Sequence, residues 1–173
     1  MCPKVLPTSV EHRAAPGPDP WRFFPGSRWE AQPAGSVPSP PVGGIDGLLN
    51  LATAWEAVSD EVGDRPAISS VGRRLSWSEF DDRAASLAAM MVAHGLGPGS
   101  KVALYLYNGH EYPEAQYAAF KVRGVPANVN YRYTGDELAY ILNNSDAEAV
   151  FFDHTLADRV AAVRQRCPAL RLA

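Results

Sequence analysis

The segment from Lys101 to Tyr107, KVALYLY, is apolar on both of its faces: Val102, Leu104 and Leu106 lie on one, Ala103, Tyr105 and Tyr107 on the other. Successive side chains of a strand point to opposite faces, so a strand that is apolar on both needs cover on both. That demand argues against a one-sided hairpin sheet and predicts a central strand with helices packed above and below it.

The residues around this strand alternate in type as such a layer requires. Leu51, Ala54, Trp55 and Val58 share one face of a predicted first helix, which Gly63 ends ahead of Asp64-Arg65-Pro66. Ala67 to Val71 and Arg74 to Trp77 read as a hairpin around Gly72-Arg73. Ser76 then caps a long amphipathic helix with Glu79 as its reciprocal partner, and Phe80, Ala84, Leu87, Ala88 and Met91 form the buried stripe up to Gly95. After the central strand, Asn108 opens the next helix as an Asx cap with Glu111 three residues on, and Pro113 is tolerated in its first turn. Tyr112, Ala115, Ala119 and Phe120 of this helix are expected to face inward.

Phe120 and Lys121 close that helix, and the Gly124-Val125-Pro126 turn leads into an extended run from Ala127 to Tyr131. Thr134 and Glu137 have the spacing of a second capping box, ahead of a stripe of Leu138, Ile141 and Leu142. Ala149 to Phe152 is a last strand, followed by a helix carrying Leu156, Val160 and Val163. Strands and helices in alternation predict an incomplete layered α/β domain with a largely parallel sheet.

Ten of the fifteen prolines lie before residue 47, among Gly, Ser and Ala with no helical or alternating pattern. Residues 1–46 are therefore expected to be a disordered extension, and residues 47–173 the folded domain. Trp21, Phe23, Phe24 and Trp29 interrupt the extension and offer a docking element. A net charge of -3 argues against a nucleic-acid surface. No run reaches the ~18 apolar residues of a membrane span, and the N-terminus lacks the apolar core of a signal peptide. The chain is expected to be soluble and cytoplasmic. Cys2 and Cys167 stand too far apart in type of surroundings to suggest a disulfide framework or a zinc site.

Several groups invite a chemical reading. Gly95, Gly97 and Gly99 suggest a phosphate loop, but such loops leave a strand and enter a helix, and this one does the reverse. Asn108-Gly109 has the right order, yet only one Gly and no Lys or Ser/Thr at the required spacing. His12, His94, His110 and His154 share no helical face, and the acid pairs Asp60/Glu61, Asp81/Asp82 and Asp136/Glu137 read as solvated faces or helix starts. Tyr131-Arg132-Tyr133 is different: an Arg between two aromatics at a strand end can contact an anion or stack on a ring. No catalytic, cofactor-binding or metal-binding residue is assigned from these patterns.

Phe120 to Leu138, FKVRGVPANVNYRYTGDEL, resembles the second core motif of adenylate-forming enzymes, and most closely that of bacterial fatty-acyl-CoA synthetases. Leu75, Ser76, Trp77, Ser78, Glu79 and Phe80 match the first motif of that family, a Leu-Thr-Tyr-x-Glu-Leu pattern. The likeness covers Leu49 to the C-terminus. It implies the N-terminal part of an AMP-binding domain, whose intact relatives use ATP, Mg2+ and coenzyme A to convert a fatty acid or related carboxylate to its acyl-CoA through an acyl-adenylate. The family's Ser/Thr/Gly-rich loop, Thr-Glu pair, ribose-binding Asp and C-terminal Lys have no match in this sequence. The resemblance therefore implies a truncated ligase, inactive alone. Two other readings remain at this point: an interaction module that complements a separately encoded remainder or forms a homo-oligomer, and a small nucleotide-binding domain using the Asn108 turn.

Overall fold

A computed structural model describes residues 50–70 and 72–173. Helix α1 (Leu51–Val62) leads to a hairpin of β1 (Pro66–Ser70) and β2 (Arg73–Ser76). There follow α2 (Trp77–Ala93), β3 (Lys101–Tyr105), α3 (Glu111–Lys121), β4 (Val125–Asn128), α4 (Gly135–Asn144) and β5 (Ala149–Phe152). A 3-10 turn, His154–Leu156, introduces α5 (Ala157–Arg164).

Strands β3, β4 and β5 form a parallel sheet in the order β4-β3-β5, with Val102 opposite both Pro126 and Ala149. The central position of β3 follows from its two apolar faces. Val102 and Leu104, with Leu106 just beyond the strand, meet Leu87, Ala88 and Met91 of α2 and Ala115, Ala118 and Ala119 of α3. Ala103 and Tyr105 meet Leu138, Ala139 and Leu142 of α4 and Val160 and Val163 of α5. The chain leaves β3 for β4 on one side and crosses back over β3 to reach β5, so α3 and α4 cover opposite faces. Burying each large apolar side chain here contributes about 1.5–3 kcal/mol.

The β1–β2 hairpin is a separate antiparallel pair. It rests on an aromatic cluster in which Trp55 of α1 lies 4.9 Å from the Tyr117 ring and 5.8 Å from Phe80. Polar groups tie the same three helices together. Glu114, fully buried, accepts from Arg83 at 2.7 and 3.0 Å, and Lys121 reaches Glu56 at 2.9 Å and Asp81 at 2.8 Å. The Tyr117 hydroxyl donates to Asp81, and burial, followed by that bond and the nearby Glu56 and Asp60, pushes its pKa far up. The buried Glu114 thus has a partner, as a desolvated charge requires.

Three helices end in one way. A residue at positive φ, Gly95 (77°), Arg123 (61°) or Asp146 (51°), follows α2, α3 and α4, and the next N–H bonds back to a carbonyl in the last turn: Leu96 to Met91, Gly124 to Ala119 and Ala147 to Leu142. These are Schellman turns, which satisfy carbonyls left free at a helix end. Gly124 is needed there for room: a Cβ would stand 2.9 Å from the Ser100 oxygen and 3.2 Å from that of Ala119.

Most of the predicted elements are present, including the Ser76/Glu79 capping box. Several details differ. The buried face of α1 is centred on Ala52 and Trp55, leaving Leu51 and Ala54 exposed, because the aromatic cluster fixes the rotation of the helix. Trp77 starts α2 instead of ending β2, and Val71 lies outside the described residues. Strand β4 begins at Val125, and Pro126 is tolerated because β4 is an edge whose free side faces away from β3. The Thr134/Glu137 box does not form: with Gly135 at φ 49°, the Thr134 carbonyl closes the first turn by accepting from the Glu137 N–H at 3.1 Å. Asp81 is no solvated acid, since it serves Lys121 and Tyr117. Residues 1–46, with Cys2, His12 and the Trp21–Trp29 cluster, lie outside the described residues.

Candidate functional site

Parallel strands bring all their carboxyl ends to one side, and a doubly wound sheet opens there where neighbouring connections depart to opposite faces. In this chain that place lies between β3 and β5, whose following helices, α3 and α5, belong to opposite layers. Three segments meet at this end: Leu106–His110 after β3, Val129–Thr134 after β4, and the turn at Asp153 after β5.

The segment after β4 is held firmly. Asn130 makes an Asx turn, its side-chain oxygen accepting from the Arg132 N–H at 3.0 Å while its carbonyl accepts from the Tyr133 N–H at 3.0 Å. Tyr105, fully buried at the end of β3, donates its hydroxyl to the Tyr133 carbonyl. Arg159 of α5 donates to the Tyr131 carbonyl at 2.9 Å and to the Tyr105 oxygen at 3.4 Å. The bond to Tyr105 is the main cause of a raised Arg159 pKa.

On this support sits an exposed ledge. The Tyr107 and Tyr131 rings are 4.8 Å apart, and the Arg132 guanidinium stacks over Tyr131 at 5.1 Å. Among the described residues no carboxylate pairs with Arg132. A charged, stacked and unpaired guanidinium can bind phosphate or carboxylate. The sequence-based expectation of stacking at Tyr131-Arg132-Tyr133 holds, and its anion-binding alternative stays open on the exposed face.

Other candidates fall away from this end or have structural partners. Gly95, Gly97 and Gly99 form the turn between α2 and β3, at the amino end of the sheet, where Ser100 Oγ accepts from the Gly97 N–H at 3.2 Å. Asn108-Gly109 does lie at the carboxyl end, but Asn108 caps nothing: His110 is the N-cap of α3, without a side-chain cap bond. Glu111 and Glu114 fill the first turn of that helix with negative charge, which disfavours a phosphate there. His110 instead bridges Arg73 and Glu111, at 3.3 Å each, joining the hairpin to α3. His94 bonds the Met90 carbonyl at 2.9 Å, and His154 approaches Asp153 at 3.5 Å although the two are adjacent in sequence. Cys167 is buried, which raises its thiol pKa. Asp60, Glu61 and Asp82 are exposed, and Asp136 pairs with Arg166 at 2.9 Å in the first turn of α4.

Among the described residues no three His, Cys, Asp or Glu side chains gather as metal ligands. No strand-to-helix loop among them pairs Gly-rich backbone with Lys, so these residues do not fit a magnesium–triphosphate group. At the carboxyl end of the sheet, Arg132 has an exposed guanidinium that can meet a phosphate.

The profile of the AMP-binding enzyme family matches residues 55–172. The chain belongs to that family. It is 39% identical over 123 residues to the 3-oxocholest-4-en-26-oate–CoA ligase of Rhodococcus rhodochrous, covering 71% of this chain and 22% of the relative. With the medium-chain acyl-CoA ligase Mig of Mycobacterium avium it shares 36% over 130 residues, covering 68% of this chain and 24% of that one. A crystal structure from Rhodopseudomonas palustris, described as a long-chain-fatty-acid CoA ligase, superposes with a TM-score of 0.66 at 27% identity over 70% of this chain and 31% of its own. The chain thus spans about a fifth to a quarter of the length of these curated relatives.

Both sequence motifs fall inside the matched stretch. In the AMP-binding fold seen here, Leu75–Phe80 joins the hairpin to α2, and Phe120–Leu138 runs from the end of α3 through β4 and the Arg132 ledge into α4. Sequence reasoning missed Arg159 and the Tyr105 hydroxyl as supports of that ledge. The only available signal was an aromatic at the end of a central strand, and nothing in the spacing of Arg159 marks which loop it reaches.

Proposed function

We propose that residues 47–173 are the N-terminal part of an ATP-dependent fatty-acid–CoA ligase domain, and that residues 1–46 are an extension outside it. The intact reaction would join a carboxylate to coenzyme A, with ATP converted to AMP and pyrophosphate. The family match carries this reading, and the names of the relatives support a fatty-acid or related carboxylate as the substrate class. The work is cytoplasmic in this reading. The chain's own contribution is structural, with one exception: Arg132 offers its guanidinium to a phosphate of the nucleotide or of coenzyme A. The groups that would hold ATP and Mg2+ are not among the described residues, so the chain alone should not turn over.

At the outer edge of β5, Leu172 pairs in parallel with Ala149, and its carbonyl accepts from the Val150 N–H at 2.9 Å.

The test is pyrophosphate release with ATP, Mg2+, coenzyme A and fatty acids. The chain alone should stay at background, and a chimaera with residues 50–173 in place of the matching stretch of the Rhodococcus rhodochrous ligase should turn over. Turnover by the chain alone would refute the proposal, and a folded but inactive chimaera would count against the assignment.

A further inference from the structure

We propose that Tyr105 and Arg159 are positioning residues: acting from β3 and α5, they clamp the carbonyls on either side of Arg132 and so fix the direction in which its guanidinium is offered to a phosphate. This deepens the function proposed above and rests on that reading of Arg132. Both flanking carbonyls of Arg132 are engaged, that of Tyr131 by Arg159 at 2.9 Å and that of Tyr133 by the Tyr105 hydroxyl. The two donors are also joined, since Arg159 donates to the Tyr105 oxygen at 3.4 Å. Hydrogen bonds that run in one direction through such a chain polarise and strengthen one another.

The clamp leaves the functional group free. Neither Tyr105 nor Arg159 bonds the Arg132 side chain, which is exposed and, among the described residues, held by its stack on Tyr131. A loop with six backbone dihedrals around Arg132 would otherwise sample many directions, and a ligand would have to order it on binding. The supports come from both sides of the sheet order: β3 is the central strand, and α5 follows β5, the strand on the side opposite β4. The loop after β4 is thereby registered against the whole sheet.

The Arg132 and Tyr133 amides both carry a native bond to Asn130, so their hydrogen exchange reports the order of the loop. In the full 173-residue chain, Arg159→Ala should speed exchange of these two amides by about tenfold, the size expected for losing a charged hydrogen bond. The melting temperature should scarcely move, because Arg159 is exposed. Arg159→Lys should recover part of the protection, and Tyr105→Phe should have the larger effect on the loop. Coenzyme A titrated into the same proteins should bind more weakly to Arg159→Ala, by severalfold, and most weakly to Arg132→Ala.

Unchanged exchange in Arg159→Ala would overturn the clamp even if Tyr105→Phe does not fold. Faster exchange with no binding of coenzyme A or ATP to the unmutated chain would keep the clamp as a loop support and refute the phosphate reading of Arg132. Equal binding by Arg159→Ala and the unmutated chain, with faster exchange, would overturn the link from clamp to ligand.

Discussion

The two ends of the parallel sheet are built from different materials. At the amino end, α2, α3 and α4 hand over to β3, β4 and β5 through Schellman turns at Gly95, Arg123 and Asp146, closed by backbone hydrogen bonds that side chains only buttress, as Arg171 does by donating to the Gly95 carbonyl at 2.9 Å. At the carboxyl end the connections are made by side chains: Asn130, Tyr105 and Arg159 hold the loop that carries Arg132, and Asp153 caps its own turn by accepting from the Thr155 N–H at 2.9 Å. Backbone turns constrain side chains only where φ is positive or the backbone comes close, and leave little to present to a ligand. Side-chain turns cost specific residues and leave an exposed aromatic and cationic surface, as expected where a doubly wound sheet meets its ligands.

The comparison can be broken most sharply at Gly124. If the amino end depends on close backbone approach, Gly124→Ala should destabilise the fold by about 1–3 kcal/mol, because the new Cβ meets two carbonyl oxygens that cannot swing aside. Urea unfolding would measure it, and a loss below the error of the fit would contradict that tightness. A smaller effect of opposite sign is expected at Asp146, where an exposed side chain sits at φ 51°. Asp146→Gly should stabilise by roughly 0.5 kcal/mol, the strain relieved being partly offset by a freer unfolded chain. Arg123 is a poorer site for this test, since its side chain also bonds Thr53 at 3.3 Å.

The amino end also shows what could be read in advance. Gly95 announces its turn because glycine adopts positive φ without a steric penalty, whereas Asp146 carries only a weak signal of that kind and Arg123 none. The central strand was legible because its two apolar faces leave no other place for it. The rotation of α1 was not, since Leu51 and Ala54 satisfy helical spacing as well as Ala52 and Trp55 do, and only the rings of Phe80 and Tyr117 decide between them. Thr134 and Glu137 had the spacing of a capping box, but the positive φ of Gly135 let the backbone close that turn instead.

At the carboxyl end, Tyr131-Arg132-Tyr133 stood out as residue types, and the stack of Arg132 on Tyr131 is present. Its supports did not stand out, because Tyr105 lies 28 residues from the Tyr133 carbonyl it bonds and Arg159 lies 28 residues from that of Tyr131. Contacts at that separation exist only once the sheet order is known. The same holds for Glu114 and Arg83, an acid and a base on different helices that become a buried pair when α2 and α3 pack.

The central claim, that the ligand-facing surface is the carboxyl end and the amino end is structural, is tested most directly by coenzyme A titration followed by amide NMR. The account predicts shifts at Tyr107, Asn108 and the 130–134 loop, with none at Gly95, Arg123 or Asp146. Shifts centred on those three turns, or no shift anywhere, would contradict it.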